Sequence, residues 1–168
     1  MAQVKTNAMR ILDQKKIEYK VYTYDAKDGK IDGLAVAEKI CRPVQMVYKT
    51  LVTRGTSKNI FVFLMCVLDE LDLKKAAKAA GEKSIEMVQV KDLLELTGYV
   101  RGGCSPVGMK KNFKTFIDIS VETQKTESMI ISGGKIGIQL EVEKAKLVEI
   151  TKAGITDLCK INDVLQEH

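Results

Sequence analysis

The sequence predicts an α+β fold: a curved mixed β-sheet or partial barrel surrounded by short helices. Three observations carry this. Strand-like runs come in pairs joined by short turns. Short helical stretches interrupt those pairs. The regular strand–helix alternation of a doubly wound fold is absent. The chain has 168 residues, 45% hydrophobic and 29% charged, so one domain spanning residues 1–168 is expected.

Taken in order, Thr6 to Lys16 reads as a helix, with Thr6 as cap and Ala8, Ile11 and Leu12 on one apolar face. Glu18 to Tyr24 alternates like a strand. Asp25 to Gly33 is a polar loop, and Leu34 to Ile40 a short helix stopped before Pro43. Val44 to Thr53 and Asn59 to Leu68 form two strands joined by a hairpin-like link at Arg54–Lys58. The second is apolar on both faces, so it is expected to be central and buried. Leu73 to Ala80 is a helix ended by Gly81. Ile85 to Val88 reads as a short strand and Val90 to Leu96 as a helix that stops at Gly98. Thr115 to Ser120, Met129 to Ser132 and Ile136 to Val142 are strands, the last two joined by a tight turn at Gly133-Gly134-Lys135. Val142 to Leu147 reads as a helical turn and Val148 to Thr151 as a final strand.

Composition excludes much chemistry. The chain's one histidine is His168, its last residue. Ser-His-Asp and Cys-His catalysis then have no base, and a zinc site with histidine ligands has no donor. No cofactor and no metal are expected. The longest apolar run, Ile60 to Leu68, is too short to span a membrane. Met1-Ala2-Gln3-Val4-Lys5 lacks the apolar stretch of a signal peptide, which places the protein in the cytoplasm. Cys41, Cys66, Cys104 and Cys159 are scattered and read as free thiols.

The densest signal is Gly98-Tyr99-Val100-Arg101-Gly102-Gly103-Cys104-Ser105-Pro106-Val107-Gly108, which holds four of the twelve glycines and one of the two prolines. Such a loop can offer backbone N–H groups to a carbonyl oxygen or phosphate, or it can simply turn the chain. It matches neither dinucleotide nor P-loop fingerprint. Cys104 has no histidine to activate it and reads as a packing residue. Lys49 sits mid-strand beside Val47 and Leu51. The pattern alone favours an outward lysine on an edge strand; if it faces a cavity, it can hold a phosphate, carboxylate or ester carbonyl. The net charge is +5, with local clusters at Lys74, Lys75 and Lys78 and at Lys110, Lys111 and Lys114. These are solvated faces or a surface for phosphates.

Four stretches stand in one order: Val47-Tyr48-Lys49-Thr50-Leu51, Leu73-Lys74-Lys75-Ala76-Ala77-Lys78, Gly98 through Lys111, and Ser132-Gly133-Gly134-Lys135. In that order they resemble the YbaK/EbsC family, free-standing relatives of the editing domain inserted in some prolyl-tRNA synthetases. The resemblance runs from Asn7 to about Asp157. It implies a β-barrel-like core ringed by helices and an aminoacyl-tRNA deacylase that removes cysteine from mischarged Cys-tRNA(Pro), with Cys-tRNA(Cys) as a further substrate. It also implies catalytic roles for Lys49, Tyr24, Gly102, Gly103 and Ser132. Substrate contacts then fall to Ser105, Pro106, Gly133 and Thr50, and tRNA contacts to Lys74, Lys75, Lys78, Lys110 and Lys111. The implied partners are aminoacyl-tRNA and prolyl-tRNA synthetase. One departure stands out: Ile136 replaces an arginine common in the family after Ser-Gly-Gly-Lys. Two other readings remain open on the residues: a module that holds charged tRNA without cleaving it, and a deacylase for another small amino acid such as alanine.

Overall fold

A computed structural model describes residues 5–161. The expectations at the N-terminal stretch before Lys5 and at His168 lie outside the described residues. The first helix, α1 (Asn7–Gln14), is capped by Thr6, whose hydroxyl accepts from the Met9 N–H. It is followed by β1 (Tyr19–Thr23), α2 (Gly33–Lys39) and a 3-10 turn at Val44–Met46. Asp32 caps α2 by accepting from the Ala35 N–H. The chain continues through β2 (Tyr48–Gly55), β3 (Ile60–Cys66), α3 (Leu73–Ala80), β4 (Ile85–Met87) and α4 (Val90–Thr97). Gly81 and Gly98, both left-handed, end α3 and α4. Last come β5 (Lys114–Asp118), α5 (Ser120–Thr123), β6 (Ser128–Ser132), β7 (Ile138–Glu143), α6 (Lys144–Thr151) and β8 (Gly154–Thr156).

The strands form a mixed five-stranded sheet, β4-β2-β3-β5-β8, and an antiparallel three-stranded sheet, β1-β7-β6. The sheets meet at a parallel bridge between Val47 and Ile130. The main core lies between them and α1, with Leu12, Leu64, Ile117, Met129, Ile131 and Leu140 fully buried. A second cluster packs α3 on the other face of the larger sheet, where Phe63 and Phe116 stack with centroids 5.4 Å apart. As expected from its two apolar faces, β3 is central and buried.

Four local expectations change. Val44–Met46 is a 3-10 turn, so β2 begins only at Tyr48. Val148–Thr151 is helical: it completes α6, and the final strand is β8, parallel to β5. The β-branched residues here yield to tertiary packing, since Leu147 is anchored in the core. The predicted Thr115–Ser120 strand ends at Asp118, and Ser120 opens α5. The link from β6 to β7 is a five-residue loop, 133–137, closed by the Gly133 N–H on the Ile138 carbonyl at 2.9 Å.

Candidate active site

The site lies where strand β2 passes from one sheet to the other. On one edge β2 pairs with β3 along its length, Tyr48 to Arg54. On the other edge β4 covers only Thr53–Gly55, and the bridge at Val47 begins the second sheet. The edge around Tyr48–Thr50 is therefore left without a neighbouring strand, and a cavity of about 340 Å³ opens beside it. That is a volume suited to a small ligand. Lys49, Thr50, Gly102, Cys104, Ser132 and Gln139 line it, with Asp32 and the start of α2 forming another wall. Residues from five separate stretches of the chain converge there. Lys49 lies on this open edge but lines the cavity, so it is not the solvent-facing lysine that the pattern alone favoured.

Lys49 is half-buried, and its ammonium donates to the main-chain carbonyl of Asp69. Ser132 closes β6, directly opposite Gln139 on β7. The Ser132 hydroxyl accepts from the Gly134 N–H at 3.3 Å, which leaves its own proton for a ligand.

Gln139 is the residue that pattern reading misses. It is 6% exposed, and its carboxamide oxygen has no hydrogen-bond partner among the described residues. The buried Thr50 hydroxyl is unpartnered in the same way. Leaving such groups unpaired costs about 1–3 kcal/mol each, so both ask for polar groups from a ligand. In the alternation of Ile138, Leu140 and Val142, Gln139 falls with Glu141 and Glu143 on the polar phase, so the pattern reads it as exposed.

The glycine-rich loop meets the cavity at Gly102, held at φ +86°. Gly103 serves another purpose. Its N–H donates to the Val100 carbonyl at 2.9 Å. A Cβ there would stand 2.9 Å from the Ile136 nitrogen and 3.1 Å from Lys135 backbone atoms. Gly103 thus lets two loops touch, and its amide is committed to the loop. Ile136 stands over this junction, its side chain 3.4 Å from where a Gly102 Cβ would lie.

The remaining predicted residues are more dispersed. The fully buried Ser105 hydroxyl accepts from the Val107 N–H at 3.2 Å and shapes the loop from within. Pro106 borders a different cleft. Gly133 packs closely on Ile138. Tyr24 does not line the cavity; it packs in the neighbouring cluster with Val47 and Val67, which do. Its buried hydroxyl has no partner among the described residues. Lys75 pairs with Asp157 at 2.9 Å and donates to the Cys159 carbonyl, and Lys110 donates to the Glu95 carbonyl.

Among the described residues Cys104 is the sole thiol on the cavity wall, and burial pushes its pKa up to about 11. It is therefore a protonated, unreactive thiol near neutral pH. The wall so combines one cation, the Asp32 carboxylate that caps α2, hydroxyls, an amide and a glycine backbone, with no nucleophile activated by a base among the described residues. It can bind and polarise an ester.

Residues 32–150 match the family described as aminoacyl-tRNA editing domain. The chain is 40% identical over 156 residues to an Enterococcus faecalis protein named "Putative Cys-tRNA(Pro)/Cys-tRNA(Cys) deacylase EbsC", covering 93% of this chain and 94% of that one. It is 25% identical over 124 residues to the Bacillus subtilis protein YwhH, covering 74% and 78% of the two chains. Among solved structures, one described as "a putative trans-editing enzyme for prolyl tRNA synthetase" superposes with a TM-score of 0.82 at 23% identity, over 95% of this chain and all of that one. That likeness bears on the fold.

Proposed function

This chain belongs to the aminoacyl-tRNA editing domain family, and from that premise we propose that it removes cysteine from mischarged Cys-tRNA(Pro) in trans. One observation carries the reading. The cavity gathers Lys49, Gly102, Ser132 and an unpartnered Gln139 around a small volume, yet offers no activated nucleophile among the described residues. A substrate that brings its own nucleophile suits such a wall. The substrate cysteine thiol attacks its own ester carbonyl, a carbon–sulfur bond forms, and the carbon–oxygen bond to the ribose breaks. The products are a cyclic thioester and free tRNA, and the thiol proton ends on the ribose oxygen.

The protein's part is then positioning and charge stabilisation. The Lys49 ammonium stands near the developing oxyanion or the leaving ribose oxygen, and the backbone at Gly102 supplies close approach. Ser132 donates a hydrogen bond through its hydroxyl, and the Gln139 oxygen accepts one from the α-ammonium. Tyr24 supports this wall from the adjacent cluster. The small cavity favours a small side chain, and exclusion by size alone discriminates weakly among such residues. Chemistry that needs the thiol adds the selectivity that size lacks.

The test is a deacylation panel with Cys-tRNA(Pro), Cys-tRNA(Cys), Ala-tRNA(Pro), Ser-tRNA(Pro) and Pro-tRNA(Pro). Release of cysteine well above the buffer rate, with serine slow, supports the reading. Equal rates for serine and cysteine reject thiol attack, and preferential loss of alanine reassigns the substrate.

A further inference from the structure

The later part of the glycine-rich loop borders a second cleft of about 370 Å³. Lys15 at the end of α1, Lys111 after the loop and Lys152 at the end of α6 converge on it, and no carboxylate of the described residues lines it. All three lysines are exposed, and none has an ion-pair partner among the described residues. Between them lie Phe113, half-buried, and the side chains of Asn7 and Asn112. We infer that this cleft binds the single-stranded acceptor end of tRNA, with its phosphates on Lys15, Lys111 and Lys152 and a base stacked on Phe113. The inference rests on the deacylase reading above for its substrate.

The physical case has three parts. Like charges brought together on a concave surface raise the local potential and favour a polyanion. Cations interleaved with an aromatic ring match single-stranded nucleic acid, where backbone charge and base stacking act together. The location also fits. Gly102 lines the first cavity and Pro106 the second, and four Cα steps put them no more than about 15 Å apart. A strand of about four or five nucleotides spans that, at about 3.4 Å each when stacked. One loop would then hold the ester on one side and the nucleotides leading to it on the other. Elsewhere the surface is less suited. Lys75 on α3 is already paired with Asp157. The cleft beside β1 and β7 mixes Glu18, Glu127, Glu141 and Glu143 with Lys16, Lys20 and Lys146, so it has no excess of positive charge to hold RNA.

The experiment compares wild type with a variant carrying Lys15→Glu, Lys111→Glu and Lys152→Asn, asparagine being chosen because position 152 is left-handed at φ +53°. Lys146→Glu, in the mixed-charge cleft, is the control. Binding of uncharged tRNA is measured by anisotropy across a salt series, alongside turnover of Cys-tRNA and of cysteinyl-adenosine, which lacks the upstream nucleotides. The triple variant should bind tRNA at least about tenfold more weakly, with the salt slope reduced by about 0.7 for each phosphate left without its lysine. Its turnover of Cys-tRNA should fall relative to cysteinyl-adenosine, and Phe113→Leu should weaken tRNA binding with the salt slope retained. Unchanged affinity and slope in a folded triple variant overturn the inference. So does loss of prolyl-tRNA synthetase retention with tRNA affinity intact, which assigns the cleft to an acidic protein surface. A wild type that binds tRNA through these lysines but cleaves neither substrate leaves the cleft standing and defeats the deacylase reading.

Discussion

The Lys49 ammonium donates to the main-chain carbonyl of Asp69, and among the described residues no carboxylate forms an ion pair with this cavity-wall cation. An ion pair would have neutralised that charge. Lys49→Ala should therefore lower deacylation at least about 100-fold, the scale of losing a key charge-stabilising donor. Lys49→Arg should recover part of it. Thermal unfolding of both variants near the wild-type Tm separates this from a folding defect.

Asp69 itself carries a stability cost that depends on pH. Burial, then the nearby Asp118 carboxylate, raises its pKa above the ordinary carboxylate value. The folded state thus binds its proton more tightly than the unfolded chain, and this cost appears as pH rises through the folded pKa. Asp69→Asn keeps the carbonyl that Lys49 uses and removes the charge. Its Tm should exceed wild type at pH 7, and the gain should vanish below about pH 4. A gain that persists unchanged at low pH would point to packing.

Cys104 should be dispensable for turnover. With its thiol pKa at about 11, alkylation at pH 8 should modify the exposed Cys41 well before the buried Cys104. Cys104→Ala should retain activity within about threefold, a loss of under about 1 kcal/mol in transition-state stabilisation. Mass mapping of iodoacetamide adducts against time checks the order.

Gly103→Ala and Gly102→Ala should fail differently. At Gly103 the added methyl meets the backbone of Lys135 and Ile136, which cannot step aside without moving a loop. A loss of about 1–3 kcal/mol is expected. At Gly102 the nearest atom, 2.8 Å away, is the flexible end of Ile31, but φ is +86°. Strain of about 1–2 kcal/mol follows, with activity reduced because this residue lines the cavity. Urea unfolding and turnover, measured together, distinguish the two.

Gln139→Leu should stabilise the protein while impairing it. It removes a buried carboxamide whose oxygen has no partner among the described residues, for a gain of about 1 kcal/mol. The same oxygen is the proposed acceptor for the substrate ammonium, so KM for Cys-tRNA should rise about tenfold, equivalent to about 1.4 kcal/mol of binding. A stabilised variant with unchanged KM would show that the residue does not meet substrate.

Much of the fold was legible because it rests on local signals. Thr6 caps α1, the apolar run of β3 requires burial on both faces, and Gly81 ends α3 in a left-handed turn. Legibility failed where long-range packing overrode propensity. Val148 and Ile150 look like strand residues, but Leu147 anchors them in a helix. The site was legible in part. Lys49, Thr50, Gly102 and Ser132 were identifiable from their motifs and do converge. Gln139 was not, because it shares the polar phase of β7 with Glu141 and Glu143, and that phase reads as solvent-facing whereas Gln139 is buried.

The order of residues alone determined which chemistry was open: no histidine among positions 1–167, a glycine-rich loop, a lysine in a strand, and motifs in the order of one family. Tertiary structure decided what each does. It turned Gly103 from an amide donor into a junction between loops, buried Cys104 beyond easy ionisation, and set Gln139 opposite Ser132. The physical reason is common to all three. Charge, rotamer and turn preference are properties of residues and their near neighbours, whereas desolvation and hydrogen-bond satisfaction depend on what the rest of the chain brings alongside.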